Sequence, residues 1–302
     1  MDTFEKARGF MYRYARPVDL ARWQYHFENG GRENVIRALT FYQNEDGGFG
    51  HGLEADNWNP HSSPITTWNA CDILYEIGWK DKEHPVVLGI LKFLDSGVHF
   101  NTDKNQWMNT IPSNNDYPHA IWWGFGGESD YKYNPTAMLA AFILDYADAG
   151  SSLYHKALKI AQEAVQWFFG HVPAVERHET ACFIPLYECL KRNKITLADM
   201  EQFETLLKTQ VKCNIDTDTA KWETDYVTKP SAFRIVPGSM FYKDNLDIVK
   251  YECGFIRRTQ KEDGSFHVPW QWYNDYKEYE AAKYMWKGVI VLENMLHLKA
   301  NE

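Results

Sequence analysis

The chain has few of the features that mark secreted or disulfide-stapled proteins. It contains five cysteines in 302 residues, an odd number, scattered without a C-x-x-C pair. Its first residues include Asp2 and Glu5, where a secretory signal needs an apolar segment. Cysteines used in this way are typical of small buried side chains in a reducing compartment, so we expect a cytoplasmic protein.

The chain also lacks net positive charge and long apolar runs. The net charge is −9 at pH 7 and no run of lysine and arginine is present, so the basic footprint that nucleic acid requires is missing. The longest apolar run, residues 137–144, is far below the roughly 20 residues that cross a bilayer. We expect no nucleic-acid partner and no stable membrane insertion. No low-complexity segment marks a boundary, which predicts one domain over residues 1–302.

Aromatic residues are abundant instead. They make up 16% of the chain, with 12 tryptophans, which is more than packing alone usually needs. Aromatic faces suit a carbocation, a sugar ring or a flat apolar ligand equally well. The composition therefore favours a small-molecule ligand without choosing among these classes.

A glycine-rich stretch between two helical patterns is the most informative part of the sequence. Residues 43–56 read Gln-Asn-Glu-Asp-Gly-Gly-Phe-Gly-His-Gly-Leu-Glu-Ala-Asp. An amphipathic pattern ends at Gln43, and Ser63-Pro64 predicts the N-cap and first residue of the next helix. The same turn pattern, Gln-x-x-Asp-Gly-x-aromatic, returns at residues 260–266. The chain thus predicts a repeated helix–turn–helix unit.

Apolar residues at helical spacing cover nearly the whole chain. The predicted helices lie at residues 3–14, 17–29, 31–43, 62–77, 83–96, from Pro135 onward, and at 151–170, 174–192, 196–211, 244–259 and 277–298. Two long loops, residues 97–133 and 212–242, interrupt them. Loops of that length in a compact domain are usually functional when they are rich in aromatic residues.

The two glycine turns resemble the Gln/Trp-type repeats of terpenoid cyclases and protein prenyltransferase β subunits. Residues 50–56, 118–123 and 134–137 are further similar to a bacterial branch of that superfamily. The resemblance implies an all-α fold, an (α/α)6-type toroid of helical hairpins with long loops at one end of the ring. It also implies a central cavity, with the side chains after each turn facing its mouth.

The resemblance brings metal and acid motifs that this sequence does not reproduce. Prenyltransferases hold zinc with an Asp-x-Cys pair and a later histidine, and no cysteine here has an acid two residues before it. Asp216 and Asp218 are similar to a squalene–hopene-type Asp-x-Asp-Asp-Thr-Ala motif that has lost one acid, and a plain turn is the alternative. A diphosphate-binding magnesium motif and a phosphate loop are missing. We expect no metal and no cofactor.

The first candidate cluster is His51, Glu54 and Asp56, which comes directly after the first turn. Carboxylates that lie close together repel when both are charged, so one can keep a proton beside a base. This pattern favours acid/base chemistry or cation binding. The alternative is that the two acids pair with arginine or lysine, or cap the helix at Ser63.

The second candidate cluster is Asp116, His119, Trp122 and Trp123. Histidine titrates near neutral pH, so His119 is a candidate general base oriented by Asp116. The alternative is that the tryptophans belong to the core and the histidine is a satisfied loop residue. Three further tryptophans complete the predicted aromatic wall for the ligand, and they are Trp58, Trp270 and Trp272.

Three functions remain open. The first is an enzyme that resembles terpene cyclases and prenyltransferases and acts on an isoprenoid-like or other apolar ligand. The second is a carbohydrate-active lyase or hydrolase, because paired acids and stacking tryptophans also suit sugars. The third is a non-catalytic ligand-binding scaffold. Fold analogy alone does not choose among them.

Overall fold

The structure, a computed structural model, describes residues 2–126 and 133–301. Within these residues the protein is mostly helical, so the all-α prediction is confirmed. The helices are α1 (Thr3–Tyr14), α2 (Pro17–Phe27), α3 (Arg32–Leu39), α4 (Pro64–Glu76), α5 (Pro85–Asp95), α6 (Tyr133–Tyr146), α7 (Ser152–His171), α8 (Arg177–Asn193), α9 (Met200–Asn214), α10 (Leu246–Thr259) and α11 (Tyr279–Asn301). Two short strands, β1 (Phe100–Asn101) and β2 (Gln106–Trp107), pair antiparallel.

Contacts divide the chain into two compact units. The terminal unit combines Met1–Leu39 with Val211–Glu302, and the central unit is Thr40–Gln210. Each predicted glycine turn falls in a different unit. The single-domain prediction stays a prediction.

The helix starts follow the local capping signals. Ser63 is the N-cap of α4, its side chain accepts from the Thr66 amide, and Pro64 is the first helical residue, as predicted. Asn134 has non-helical dihedrals, φ −94° and ψ 112°, which places the regular part of α6 from Pro135 onward. A proline at a first helical position loses no hydrogen bond, because that amide has no partner within the helix.

Some boundaries differ from the sequence prediction. α3 ends at Leu39, and residues 40–42 tighten into a 3-10 turn instead of continuing the helix to residue 43. The predicted loop 97–133 contains the β1–β2 hairpin and two 3-10 turns, at Pro112–Asp116 and Ile121–Trp123. Residues 127–132 of that loop lie outside the described residues. The loop is therefore built largely from local turns.

Each unit has its own apolar core. In the central unit, α6 is buried on all sides from Ala137 to Leu144 and packs mostly against α7 and α8. The apolar run of the sequence is therefore a core helix. In the terminal unit, a cluster from α1, α2, α10 and α11 packs together, and it includes Phe10, Trp23, Ile256 and Leu292. Full burial of one such side chain contributes about 2 kcal/mol. None of the described helices is both long and apolar enough to span a membrane.

Candidate functional site

The first Gln-x-x-Asp-Gly turn is fastened to the start of α5. The Gln43 side-chain amide donates to its own turn at the Gly47 carbonyl (2.9 Å) and to the Val86 carbonyl (3.1 Å). Gly47 has φ +94°, and a Cβ added there would lie 2.0 Å from the Gly89 carbonyl oxygen. Only glycine fits, because both the dihedral and the close backbone approach exclude a side chain.

The second turn is fastened to α1 by the same contacts. The Gln260 side-chain amide donates to the Gly264 carbonyl (3.2 Å) and to the Thr3 carbonyl (2.9 Å). Gly264 has φ +93°, and a Cβ there would lie 2.0 Å from the Lys6 carbonyl oxygen. The repeated sequence pattern therefore encodes one repeated docking geometry.

After the first turn, residues 50–61 join residues 113–123, and we call these two segments the joined loops. Their backbones meet through a bridge between Asn57 and His119, a bond from the Trp58 amide to the Pro118 carbonyl (3.0 Å) and one from the Ala120 amide to the Asp56 carbonyl (2.8 Å). The two candidate clusters of the sequence thus lie side by side.

The two acids of the first cluster lie in the protein interior. Glu54 is 7% exposed and Asp56 is 2% exposed. One Glu54 oxygen accepts from the Asp56 amide (3.3 Å), and the other accepts from the Asn69 side chain on α4 (3.0 Å). The cap of α4 is made by the Ser63 hydroxyl itself. The alternative role of these acids as helix caps is therefore not what the structure shows.

The two histidines differ in their surroundings. His51 is exposed, has φ +57°, and its Nε2 donates to the Asn44 side-chain oxygen (2.8 Å). His119 is nearly buried, and its Nδ1 donates to the Tyr117 carbonyl (2.6 Å). That bond fixes the His119 ring through the main chain, while the Asp116 side chain, proposed as its orienting group, is exposed.

An amide network that the sequence analysis missed holds the joined loops together. The Asn114 side-chain oxygen accepts from the side chains of Asn57 (3.3 Å) and Asn59 (2.8 Å). The Asn114 side-chain nitrogen in turn donates to the Trp123 carbonyl (2.9 Å). All three asparagines are buried. The only signal in the sequence was the excess of asparagine in these loops, which a plain turn explains equally well.

The aromatic residues fall into two groups. Trp58 and Trp123 are half-buried on the joined loops, and Trp122 is 39% exposed beside them. The buried Trp123 Nε1 has no acceptor among the described residues, and such a group in a folded protein calls for an explanation. Trp270 and Trp272 belong to the terminal unit, where Trp270 is half-buried and Trp272 is buried.

A histidine and a tyrosine at the joined loops were also missed by the sequence analysis. His61 is exposed, and its Nε2 lies 3.3 Å from the Tyr117 hydroxyl. The two rings meet edge to face at 5.7 Å. Neither residue belongs to a recognisable motif, so only the pairing of the loops reveals them. They supply titratable groups at the surface of a site whose acids are buried.

The possible metal ligands do not assemble within residues 2–126 and 133–301, where no group of three histidine, cysteine or acidic residues could hold an ion. The Asp216 side chain accepts from the Asp218 amide (2.8 Å), and Asp218 pairs with Lys221 (3.2 Å). This is the geometry of a local turn, which was the alternative to a vestigial acid motif.

The fold and the site therefore define a helical protein with two glutamine–glycine docking turns and a buried acid pair behind one of them. Comparison with known proteins adds no relative, since no family model, curated protein or solved structure matches the chain. Function must therefore be inferred from the geometry of the joined loops.

Proposed function

We propose that this protein is an (α/α)6-toroid enzyme resembling terpenoid cyclases and prenyltransferases, with its ligand bound at the joined loops. Two docking turns of one geometry support the repeat architecture, because each turn fastens a helix beyond the one that follows it, α5 for the first turn and α1 for the second. The second turn holds the first helix of the chain, as the closing repeat of a ring must do.

The observation that carries the proposal is the burial of Glu54, Asp56 and His119 within one hydrogen-bonded pair of loops. Burying an ionisable group costs free energy, and ionisable groups perturbed by burial and charge partners are concentrated at functional sites. Two carboxyl groups and an imidazole carried by one pair of loops are the group types that general acid–base catalysis uses. The rings of Trp58, Trp122 and Trp123 would then bind the non-reacting part of the ligand.

The ligand of this proposed enzyme is isoprenoid-like or another apolar molecule. Ile121 and Trp122 are adjacent in sequence and are 60% and 39% exposed, so they offer apolar surface that such a ligand would cover. The second candidate is a carbohydrate-active lyase or hydrolase. It is favoured by the acids and tryptophans that the joined loops carry together, because paired acids and stacking aromatic rings also suit sugars.

Native mass spectrometry of the purified protein tests this proposal by detecting a co-purified ligand. The double variant Glu54→Gln, Asp56→Asn removes the charges of the acid pair and keeps its shape. We expect it to lose the bound ligand while its melting temperature changes little. The mass of the wild-type adduct separates an isoprenoid from a saccharide.

A matched control exists at Asp81 and Glu83. These acids have the same spacing, and the Glu83 amide donates to the Asp81 side chain (2.9 Å), but both are exposed. The variant Asp81→Asn, Glu83→Gln should keep the ligand. If the first double variant loses much stability but keeps the ligand, Glu54 and Asp56 have a structural role. If the wild-type protein binds a ligand but does not convert it, the protein is a non-catalytic ligand-binding scaffold.

A further inference from the structure

The segment between the second docking turn and α11 curls back on itself. Trp272 anchors it, since this side chain is 1% exposed and packs against the rings of Tyr276 and Tyr279. The Tyr279 hydroxyl closes the curl by donating to the Trp270 carbonyl (2.6 Å). We call this segment, residues 271–279, the cup.

The cup is a depression of about 280 Å³ that is open to solvent. Pockets for drug-sized ligands span roughly 300–1,000 Å³, so this space suits a smaller molecule. Its lining residues are Gln271, Trp272, Tyr273, Asn274, Asp275, Tyr276 and Tyr279. Two of the rings present their surface to solvent, because Tyr273 is 64% exposed and Tyr276 is 37% exposed.

The backbone of the cup is held in an unfavourable conformation at its most exposed ring. Tyr273 has φ +57°, in the left-handed region that bulky side chains rarely adopt. Such residues persist only where the surrounding structure imposes them, and they concentrate at ligand-binding sites. This observation is independent of the shape of the cavity.

The chemistry of the lining selects the ligand class. Gln271 and Asn274 carry amides that both donate and accept, and Asp275 carries a carboxylate that accepts from hydroxyl groups. The tyrosine rings offer flat faces for an apolar surface. Asp275 is the one charged residue among the lining residues, all of which lie within the described range 133–301. Its negative charge would repel an anionic ligand. A hexopyranose presents hydroxyl groups around its edge and C–H groups on its faces.

We propose that the cup binds one neutral hexopyranose ring, with Tyr273 or Tyr276 against its face and Asp275 on its hydroxyl groups. This site belongs to the terminal unit and does not rest on the function proposed for the joined loops. It gives the protein a second ligand site, for a neutral sugar, whether or not the first site is catalytic.

Saturation-transfer NMR on the full chain tests the site with the methyl glycosides of glucose, galactose and mannose at millimolar concentration. We expect transfer to at least one of them, and weaker or no transfer to methyl glucuronide, whose carboxylate would face Asp275. Tyr276→Ala should weaken binding by about three- to tenfold, the effect of losing one aromatic contact. Asp275→Asn, which keeps the shape of the cup, should also weaken binding.

The matched control is Tyr251→Ala. Tyr251 is 39% exposed and lies on α10, outside the cup, so its loss should leave binding unchanged. Tyr276→Phe keeps the ring and tests binding even if the alanine variant unfolds, and it should bind more tightly than Tyr276→Ala. Absence of transfer to all three neutral glycosides would overturn the proposal, as would equal loss in Tyr251→Ala or stronger binding of the glucuronide.

Discussion

The two docking turns are alike in backbone but obtain one hydroxyl group from different places. In the first turn, the Ser62 hydroxyl donates to the Asp46 carboxylate (2.6 Å) from sixteen residues away. In the second, Ser265 donates to Asp263 (2.7 Å) from within the turn. The first turn has Gly48 where the second has Ser265, and a Cβ at Gly48 would lie 2.5 Å from the Ser62 Cβ.

This difference accompanies a contrast between the segments that come after the two turns. Asp46 accepts from the Gly48 amide within its own turn (2.9 Å) and from the Ser62 hydroxyl beyond it, so the Ser62 bond ties the end of residues 50–61 back to the turn. Asp263 takes both bonds from Ser265 inside its own turn, and the residues after it curl into the cup. The serine position thus distinguishes a turn tied to a distant segment from a turn bonded within itself.

The largest expected effect comes from breaking the geometry that the turns share. Gly47→Ala and Gly264→Ala should each lower the free energy of unfolding by at least about 3 kcal/mol, because the new methyl group meets a carbonyl oxygen and the dihedral is left-handed. Urea denaturation measures both.

Two glycines with positive φ but open surroundings provide the controls. Gly97 has φ +74° and Gly238 has φ +89°, and a Cβ on either meets no atom within 4 Å. Alanine there should cost only about 1 kcal/mol, the dihedral alone. Equal losses at clashing and open sites would show that the turns are not tightly docked.

A swap of the serine position gives the next largest effect. Gly48→Ser alone should cost about 2 kcal/mol through its clash with Ser62. Adding Ser62→Gly converts the first turn to the second form, with its own hydroxyl for Asp46. We expect recovery of about half of the loss, because the Phe93 ring also lies 2.8 Å from the added Cβ. Thermal unfolding of the single and double variants measures this, and no recovery would contradict the role given to this serine position.

The turns also differ in where buried acids lie near them in the sequence. Glu54 and Asp56 come after the first turn, whereas Glu252 comes before the second. On α10, Glu252 accepts from the Ser231 hydroxyl (2.5 Å) and amide (2.9 Å), and its carboxylate lies 3.4 Å from His297 Nε2 on α11. Burial raises the pKa of Glu252 to about 7 from 4.5 and lowers the pKa of His297 to about 4 from 6.5.

These opposite shifts predict that the Glu252–His297 pair adds little net pH dependence to the stability of the wild-type protein. The raised pKa of Glu252 gives stability that is lost as pH rises from 4.5 through 7, and the lowered pKa of His297 gives stability that is lost as pH falls from 6.5 through 4. The two effects cancel between about pH 4.5 and 6.5, each with a slope of about 1 kcal/mol per pH unit.

Single substitutions should reveal the two pH dependences of unfolding free energy that cancel in the wild-type pair. In Glu252→Gln, the free energy of unfolding should rise more steeply with pH over this range than in the wild type, because His297 is the member of the pair that still titrates. In His297→Gln it should fall relative to the wild type, because Glu252 is the member that remains. Urea midpoints at several pH values measure both, and parallel curves for wild type and both variants would show that the two pKa values are not shifted in opposite directions.

The smallest effect should come from removing each serine hydroxyl. Ser265→Ala should cost about 1 kcal/mol for one lost hydrogen bond. Ser62→Ala should cost somewhat more, because the Ser62 hydroxyl also accepts from the Asn44 side chain (3.0 Å). Their local consequences should differ, because only Ser62 joins distant segments. Hydrogen exchange should accelerate at residues 60–62 in the first variant and stay unchanged at residues 267–270 in the second. Equal acceleration after both turns would show that the two serines act alike.

The docking turns and helix starts were predictable because their causes are local. Ser63 caps the helix that begins at Pro64 through the geometry of its own side chain. Gly47 has a positive φ, which its position in an Asp-Gly turn predicts. The joined loops were not predictable, because the bond between Asn57 and Asn114 spans 57 residues. Burial of Glu54 and Asp56 also contradicts the usual preference of acids for the surface, so only the folded chain reveals it.

The bond between Gln260 and Thr3 has a consequence for how the protein is made. It joins residues separated by 257 positions, so the ribosome releases α1 long before the glutamine that holds it exists. During synthesis the apolar side of α1, which includes Phe10 and Met11, is therefore made before its partners on α10 and α11. Nascent chains lacking the last forty or so residues should therefore depend on chaperones, and the late arrival of the C-terminal repeat should complete the terminal unit.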